Sequence, residues 1–327
     1  MTHRAFLTQR ARCLATALAV AAFSGAASAQ AWPERPIRMI VPAAAGGMTD
    51  ISARVVAKRL GQELGQPVVV ENKGGGGGRI GAAEVAHSKP DGYTVLFANA
   101  VTQALLPATV RNMNYDPLKD FTQLGLLFDY TTVLVCNKSL PFDDIAGFIA
   151  YAKKVPGKPT MATAGPGSGN HFTNELFNMM AGVQTLSVHY RGNAPALQDV
   201  LAGVADCSHQ GEVKQYVDSG KLKLIATDGR QRDPRFPQLK TVAESGLPGY
   251  ELTWWQGLTM PAGAPPEVVA KLVQALRTVA DDPDVRMSVR DYGLAPAYGA
   301  PAAMEQTIRR DMTQFRRIAA QSEIVIE

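Results

Sequence analysis

The sequence predicts an α/β protein of two lobes, each a mainly parallel sheet flanked by helices, hinged by two crossing strands. Short runs rich in β-branched residues alternate with amphipathic stretches of helical period, which is typical of a parallel sheet covered by helices. The alternation runs through two cycles, one in each half of the chain. Because no flexible linker separates the halves, we expect the chain to cross between the lobes along strands near 126–136 and 252–260.

The first cycle begins with a strand at Ile37–Val41 and a helix at Asp50–Leu64, in which Ile51, Val55 and Leu60 recur at helical spacing. The remaining elements of this βαβαβ cycle are predicted at Val68–Glu71, Ile80–Ser88 and Tyr93–Ala98.

The second cycle repeats this alternation. Its strands are predicted at Thr132–Asn137, Thr160–Thr163, Thr185–His189 and Leu222–Thr227. Its helices are predicted at Ile145–Lys153, Asn170–Ala181 and Ala194–Leu201. A return strand and two helices with clear apolar stripes close the fold, at Leu252–Met260, Pro265–Ala280 and Met304–Ala320. We therefore expect one lobe to comprise residues 30–129 with 254–327, and the other residues 130–253.

Residues 1–29 have the features of a secretory signal peptide. Arg4, Arg10 and Arg12 precede a short apolar stretch, which ends in small residues up to Ala29. The stretch is shorter than the about 20 apolar residues that a membrane anchor needs. We therefore expect cleavage near Ala29 and a soluble protein in the periplasm.

Charge and cysteine content argue against two classes of protein. Removing the three arginines of the leader lowers the formal net charge from +4 to +1, so the basic balance does not support nucleic-acid binding. Cys136 and Cys207 remain after cleavage and are too few for a disulfide framework. Two buried thiols are the favoured interpretation, and a single bridge stays open in an oxidising compartment.

Three glycine-rich loops each follow a predicted strand and open a predicted helix, at 46–50, 165–170 and 190–195. Glycine lets the backbone approach a ligand, and the free N–H groups of a helix N-terminus favour an anion. Thr49 or Asp50 is the expected cap of the first helix and Asn193 of the third. Arg191 could reinforce anion binding, but an arginine beside a turn is more often solvated. Because open α/β sheets bind ligands at the carboxyl ends of their strands, we expect the loops to converge on one cleft that holds a small anion.

Short motifs along the whole mature chain match those of one family in order. They are Pro36–Pro42 leading into Gly46–Asp50, Gly65–Lys73, Pro90–Thr94, Tyr115–Phe121, Tyr190–Gly192 with Ala194–Ala196, Gly220–Leu222, Thr241–Glu244, Gly246–Tyr250 and Pro261–Pro265. In this set and order the chain resembles the Bug-type solute-binding proteins, the extracytoplasmic receptors of tripartite tricarboxylate transporters.

The resemblance implies a two-lobed periplasmic-binding-protein fold that closes around a small carboxylate and delivers it to the permease subunits of a membrane transporter. A di- or tricarboxylate, an amino acid and an aromatic acid are all open as ligands. The resemblance also implies a monomer without catalytic residues, metal or cofactor. The candidate ligand-binding residues are Gly46, Gly47, Met48, Thr49, Asp50, Asn99, Thr102, Ser168, Gly169, Asn170, Asn193, Ala194 and His209.

Two segments depart from the family pattern and leave the identity of the ligand open. Ala43 and Ala44 replace an aromatic residue and a proline, and the segment 207–212 is shorter and more polar than is usual. Asp50 has two interpretations besides a cap, because it could orient waters that bridge to a carboxylate or bind an ammonium group.

Other functions fit fewer residues. Gly76–Gly81 matches the GxGxxG pattern of dinucleotide sites but lies outside the first βα turn. A secreted hydrolase would use Ser168 with His171 or His189, yet the glycines that a nucleophile elbow requires two residues to either side are absent from the sequence. A ligand sensor that reports to a signalling partner is the third alternative. The pair Trp254–Trp255 is predicted to pack in the core or hinge rather than to stack on a ligand.

Overall fold

The computed structural model describes residues 32–290 and 292–322, so the predicted signal peptide lies outside the described residues. The strands, in chain order, are β1 Ile37–Val41, β2 Val68–Asn72, β3 Thr94–Asn99, β4 Phe121–Tyr130, β5 Val133–Asn137, β6 Gly157–Thr163, β7 Thr185–His189, β8 Cys207–Gln210, β9 Leu222–Thr227, β10 Trp254–Pro261 and β11 Leu294–Gly299. They form a first sheet in the order β11-β4-β10-β3-β1-β2 and a second in the order β7-β6-β8-β5-β9.

Helices flank both sheets. They are α1 Met48–Leu64, α2 Arg79–Ala86, α3 Leu106–Thr109, α4 Ile145–Lys154, α5 Gly169–Ala181, α6 Asn193–Ala202, α7 Lys214–Asp218, α8 Pro266–Asp281, α9 Pro283–Arg290 and α10 Pro301–Ser322. A 3₁₀ turn at Gly76–Gly78 precedes α2, and a π-helical turn at Val101–Leu105 precedes α3. Within the described residues, no helix is both long enough and apolar enough to cross a membrane.

The two-lobed α/β fold is confirmed, and both sheets are mixed where the sequence predicts mainly parallel ones. β1 pairs in parallel with β2 and β3, whereas β10 runs antiparallel to β3 and β4. In the second sheet β6 is parallel to β7 and β8, and β5 is antiparallel to β8 and β9. β5 enters the second sheet from the first, and β10 enters the first sheet from the second. Each begins at the edge where the parallel strands end, so it must run in the opposite direction.

Several elements were missed because their sequences lack the expected pattern. β8 is short and largely polar. Its Ser208 is buried where an apolar residue is usual, and the Ser208 hydroxyl donates to the Ala162 carbonyl. β11 is an edge strand that contains Pro296, a residue that is unfavourable inside a sheet. The sequence also did not separate β4 from β5, and it did not predict α3, α7 or α9.

Cys136 of β5 and Cys207 of β8 are direct cross-strand neighbours and form a disulfide. The favoured interpretation of two free thiols is therefore wrong. The two cysteines are 71 positions apart in the sequence, which gives no sign that their strands are paired.

An aromatic cluster joins the start of β10 to helices of both halves of the chain. The Trp254 ring stacks on the Phe315 ring of α10 at a centroid distance of 5.9 Å. Phe172 of α5 meets the Phe315 ring edge-on at 5.4 Å. The Trp255 indole N–H donates to Asp311 at 2.8 Å. Both tryptophans are buried in the core, as predicted, and Trp254 also lines the cleft described below.

Candidate functional site

A cleft of about 730 Å³ lies at the ends of β1, β3 and β4 of the first sheet and of β6, β7 and β8 of the second. Its volume is in the usual range of small-molecule sites. Ten of the thirteen candidate residues line it, namely Gly47, Met48, Thr49, Asn99, Ser168, Gly169, Asn170, Asn193, Ala194 and His209. Gly46, Asp50 and Thr102 are not among its lining residues, and Asp50 and Thr102 are buried.

The first glycine-rich loop presents the N-terminus of α1 to the cleft. The helix begins at Met48, and Gly47 is its N-cap in an extended conformation (φ −87°, ψ 171°). The expectation that Thr49 or Asp50 caps this helix is therefore wrong. Gly47 makes no side-chain capping bond, so no side chain of the cap covers the first turn of α1.

Asp50 holds this loop in place from behind. Its carboxylate accepts hydrogen bonds from the Gly46 backbone N–H at 2.9 Å, from Arg54 Nε at 3.1 Å and from Asn72 Nδ2 at 2.9 Å. Burial acts to raise the pKa of Asp50, but these bonds outweigh it and the pKa lies below its ordinary value. This carboxylate is fully engaged in the loop, and the geometry gives no support to contact with an ammonium group.

The second and third loops are tied to each other by a pair of asparagines. Asn170 Oδ1 accepts the Ala164 backbone N–H at 2.9 Å, and Asn170 Nδ2 donates to Asn193 Oδ1 at 3.1 Å. Ser168 is the N-cap of α5, and its hydroxyl accepts the His171 N–H. The two loops therefore form one wall of the cleft.

Gly192, rather than the predicted Asn193, is the N-cap of α6. Its φ of 135° is a conformation that favours glycine, and a Cβ there would lie 3.0 Å from the Ala44 Cβ in the first loop. Asn193 becomes the first residue of the helix and is free to meet Asn170. The family departure at Ala44 thus lies at a close approach between the two halves of the cleft.

The loop after β3 is fixed by its own polar groups. Asn99 Oδ1 accepts the Thr102 backbone N–H at 3.0 Å, and the Tyr115 hydroxyl donates to the Thr102 carbonyl at 2.6 Å. Asn99 lines the cleft, and Thr102 supports it from the buried side.

The described lining carries positive charge and no aspartate or glutamate. Arg79, at the start of α2, and Arg191, in the third loop, both line the cleft. Neither guanidinium forms an ion pair with a described residue, although most of the other described arginines do. Arg191 is exposed, as expected, whereas Arg79 is half-buried.

His209 lies at the floor of the cleft, where it pairs with Asp228. Its Nδ1 is 3.0 and 2.9 Å from the two carboxylate oxygens of Asp228, and Nε2 has no hydrogen-bond partner among the described residues. Asp228 also accepts from the Thr132 and Tyr250 hydroxyls. The sequence pointed to His209 but not to its carboxylate partner.

Glu212 is a feature that the sequence did not predict. Both of its carboxyl oxygens are buried without a hydrogen-bond partner among the described residues, and a Cβ at Gly47 would lie 3.8 Å from Oε1. Burial raises the pKa of Glu212, although the Met48 backbone N–H and the Arg235 charge act to lower it. The side chain therefore reaches from the second half of the cleft to the N-terminus of α1.

The run of five glycines also lines the cleft, which the sequence analysis did not predict. Gly77 has a φ of 67°, and a Cβ there would lie 2.8 Å from the Gly167 carbonyl oxygen in the second loop. The glycines thus permit a close approach between the two sides of the cleft. In the sequence, the length of this glycine run is the feature that indicates a special role.

Ser168 does not have the surroundings of a hydrolase nucleophile. Its hydroxyl oxygen lies 2.6 Å from the Gly165 carbonyl and 2.8 Å from Asn170 Oδ1, so the hydroxyl proton is donated within the loop. The two nearby histidines bind elsewhere: His171 Nδ1 accepts the Gly167 N–H, and His189 Nδ1 pairs with Thr163.

Comparison with known proteins places this cleft in a family. Residues 52–324 match the family model described as the tripartite tricarboxylate transporter family receptor. The chain is 34% identical to Protein BugT of Bordetella pertussis, over 87% of this chain and 88% of that protein.

Two solved structures of Rhodopseudomonas palustris proteins have the same fold. The structure of Rpa4515 with adipate superposes with a TM-score of 0.86 at 31% identity, covering 90% of this chain and 99% of that one. The structure of MatC with bound malate gives a TM-score of 0.83 at 32% identity, covering 88% and 99%. The chain therefore belongs to the Bug-type receptors of the tripartite tricarboxylate transporter family, as its motifs indicated.

Proposed function

We propose that this protein is a periplasmic receptor that binds a small carboxylate in its cleft and delivers it to the membrane permease of a tripartite transporter. The observation that carries the proposal is the composition of the described lining: the caps of three helix N-termini, Gly47, Ser168 and Gly192, belong to it, and it contains no aspartate or glutamate. Helix N-termini supply N–H donors and partial positive charge, which favour an anion.

The same lining favours an acid with two carboxylates over an amino acid. An ammonium group would need an anionic partner, and Asp50 is engaged behind the lining by Gly46, Arg54 and Asn72. Arg79 and Arg191 offer two guanidinium groups for a second carboxylate. The relatives with adipate and with malate also hold dicarboxylates.

Capture is proposed to occur by hinge closure of two lobes, residues 30–129 with 254–327 and residues 130–253. Supporting this division, the chain passes from the first sheet to the second between Tyr130 and Val133, and it returns to the first at Trp254. The two crossing segments are linked through Asp228, whose carbonyl accepts the Leu252 N–H at 3.0 Å and whose N–H donates to the Thr132 carbonyl at 2.9 Å.

Export and mode of action are parts of the same proposal. The leader of residues 1–29 is proposed to be cleaved near Ala29, which agrees with the periplasmic location of family members such as the binding protein BugD. The receptor is proposed to act as a monomer, without catalysis, and its contact with permease subunits follows from the family.

A thermal-shift experiment with matched ligand pairs tests the proposal. Malate and aspartate differ in a hydroxyl against an ammonium group, and glutarate and glutamate differ in the ammonium group alone. We expect malate, glutarate or adipate to raise the melting temperature, because a ligand at 100 times its Kd stabilises the native state by about 2.7 kcal/mol. The amino acids should give no shift.

A variant of the first loop supplies the control. A Cβ at Gly47 would meet nothing closer than Glu212 at 3.8 Å, so Gly47→Val should fold while its side chain covers the helix N-terminus. The ligand-induced shift should be lost in G47V and kept in the wild type. A shift with aspartate alone would contradict the choice of ligand, and the absence of a shift with every acid would contradict the receptor function.

A further inference from the structure

The floor of the cleft contains a buried imidazole with one nitrogen bound and the other without a partner. Nδ1 of His209 faces both carboxylate oxygens of Asp228, and both side chains are fully buried. Nε2 is also buried and makes no hydrogen bond to a described residue. Because buried polar atoms are nearly always hydrogen-bonded, an unpartnered nitrogen in the lining of a cleft points to a ligand.

The position of Asp228 makes this arrangement rigid. Its carboxylate accepts from the Thr132 hydroxyl and from the Tyr250 hydroxyl at 3.1 Å, and its backbone joins the two crossing segments. A carboxylate held in this way keeps the proton of the neutral ring on Nδ1 and fixes the ring plane. The orientation of Nε2 is therefore set before any ligand arrives.

The chemistry of Nε2 depends on the charge of the ring. In the neutral form with its proton on Nδ1, Nε2 carries a lone pair and would repel a carboxylate oxygen. In the charged form Nε2 becomes a donor, and Asp228 balances the positive charge. A ligand carboxylate at Nε2 would favour the charged form as well.

Resting on the proposed function, we propose that His209 is a ligand contact that determines specificity: its charged imidazole, balanced by Asp228, donates from Nε2 to a carboxylate of the bound acid. The ligand and a proton on His209 then bind together. Affinity for the acid falls as the ring loses that proton.

Few other groups around His209 can titrate with it. Asp228 and Tyr250 face it directly, and burial raises the pKa of Tyr250 well above its ordinary value, so the phenol stays neutral. The neighbouring residue on β5 is the apolar Leu134. His171 and Glu175 lie on α5, which packs against β8, and His189 lies on β7, which β6 separates from β8. Burial lowers the pKa of both histidines.

One further titratable group follows His209 in the chain. Glu212 lies three positions on, with its carboxyl buried against the N-terminus of α1. Its titration must be separated from that of His209 by experiment.

Calorimetric titration across the imidazole range tests the inference. Protein purified from the periplasm of an expressing bacterium is titrated with malate and, separately, with adipate, from about pH 6 to about pH 9. Wild-type affinity should fall as pH rises. His209→Gln, which keeps a neutral amide near the position of Nε2, should bind roughly 10- to 100-fold more weakly than wild type at the acidic end and should show one affinity throughout.

A contrary outcome for H209Q and a second variant make the test decisive. The same pH dependence in wild type and H209Q would overturn the inference while leaving the receptor function intact. If H209Q does not fold, Asp228→Asn keeps the ring but removes the balancing charge, and it should move the loss of affinity to lower pH; an unchanged profile overturns the inference.

Glu251→Gln, an exposed change outside the cleft lining, is the matched control and should keep the wild-type dependence. Removal of that dependence by Glu212→Gln would assign the proton to Glu212 and refute the role of His209. If neither acid binds the wild type at any pH, the proposed function itself fails, and this inference with it.

Discussion

The side-chain amide of Asn170 donates to the Asn193 carbonyl oxygen across 3.1 Å and so joins the helix N-termini of α5 and α6 into one surface. Both residues line the cleft. The bond has a consequence for ligand binding, because it orients two sets of N–H donors toward the same space.

Asn170→Asp should separate binding from stability. The substitution removes the amide donor and places a negative charge in the first turn of α5, where it faces the proposed carboxylate. We expect affinity for malate or adipate to fall by at least about tenfold. A negative charge in this position favours the helix itself, so the melting temperature without ligand should not fall.

Asn114→Asp, an exposed change outside the cleft lining, controls for the added charge. Calorimetric titration and a melting curve for the two variants complete the comparison. Equal affinities of N170D and N114D for the acid would show that this wall does not contact the ligand.

Arg79→Gln and Arg191→Gln should each weaken the binding of dicarboxylates by roughly tenfold, since a charged hydrogen bond to carboxylate is lost. Neither change leaves a described ion-pair partner behind, so stability should be nearly unchanged. The exposed Arg317 on α10 lies outside the lining, and Arg317→Gln is the matched control. Affinities for adipate that do not differ among the three variants would refute a role for the cleft arginines.

Glu212→Gln should change how stability depends on pH. Because burial raises the pKa of Glu212, the folded protein holds this proton more tightly than the unfolded chain. The resulting stabilisation is complete below the ordinary glutamate pKa of about 4.3 and is lost as pH rises through the raised folded value. Relative to wild type, E212Q should therefore become progressively more stable as pH rises above about 4.3.

Urea unfolding at several pH values measures this difference. The exposed Glu251 offers a matched control, since Glu251→Gln removes a carboxyl without a burial effect. A difference between E212Q and wild type that stays constant with pH would show that Glu212 titrates alike in the folded and unfolded states.

Loss of the Cys136–Cys207 bridge should destabilise the second sheet. The bridge joins cysteines 71 positions apart in the sequence, and opening a loop of this size is expected to cost about 2–4 kcal/mol. Urea unfolding of wild type with and without reductant measures the effect, and a Cys136→Ala, Cys207→Ala chain should be insensitive to reductant. A wild-type midpoint that reductant leaves unchanged would contradict the expectation.

Local signals in the sequence were enough to locate most of the cleft. A glycine-rich segment between a strand and a helix marks a helix N-terminus, and the wall formed by Ser168, Asn170 and Asn193 was found in this way. The caps of α1 and α6 were misplaced by one to three residues because a glycine can cap a helix without a side-chain signal.

Features that depend on contacts between distant segments could not be predicted. The partner of His209 is Asp228, which follows a different strand, and Glu212 meets Gly47 from the other half of the chain. β8 was missed for the same reason, since its polar residues are buried by partners that the sequence does not identify. These contacts appear only once the two sheets face each other.

The most direct test of the account is a crystal structure of the protein with the dicarboxylate that gives the largest thermal shift. We predict one carboxylate of the acid among the backbone N–H groups of the second and third loops and within hydrogen-bond distance of His209 Nε2, with the other toward Arg79 or Arg191. An acid bound outside the cleft, or one whose carboxylates contact none of these groups, would contradict the account.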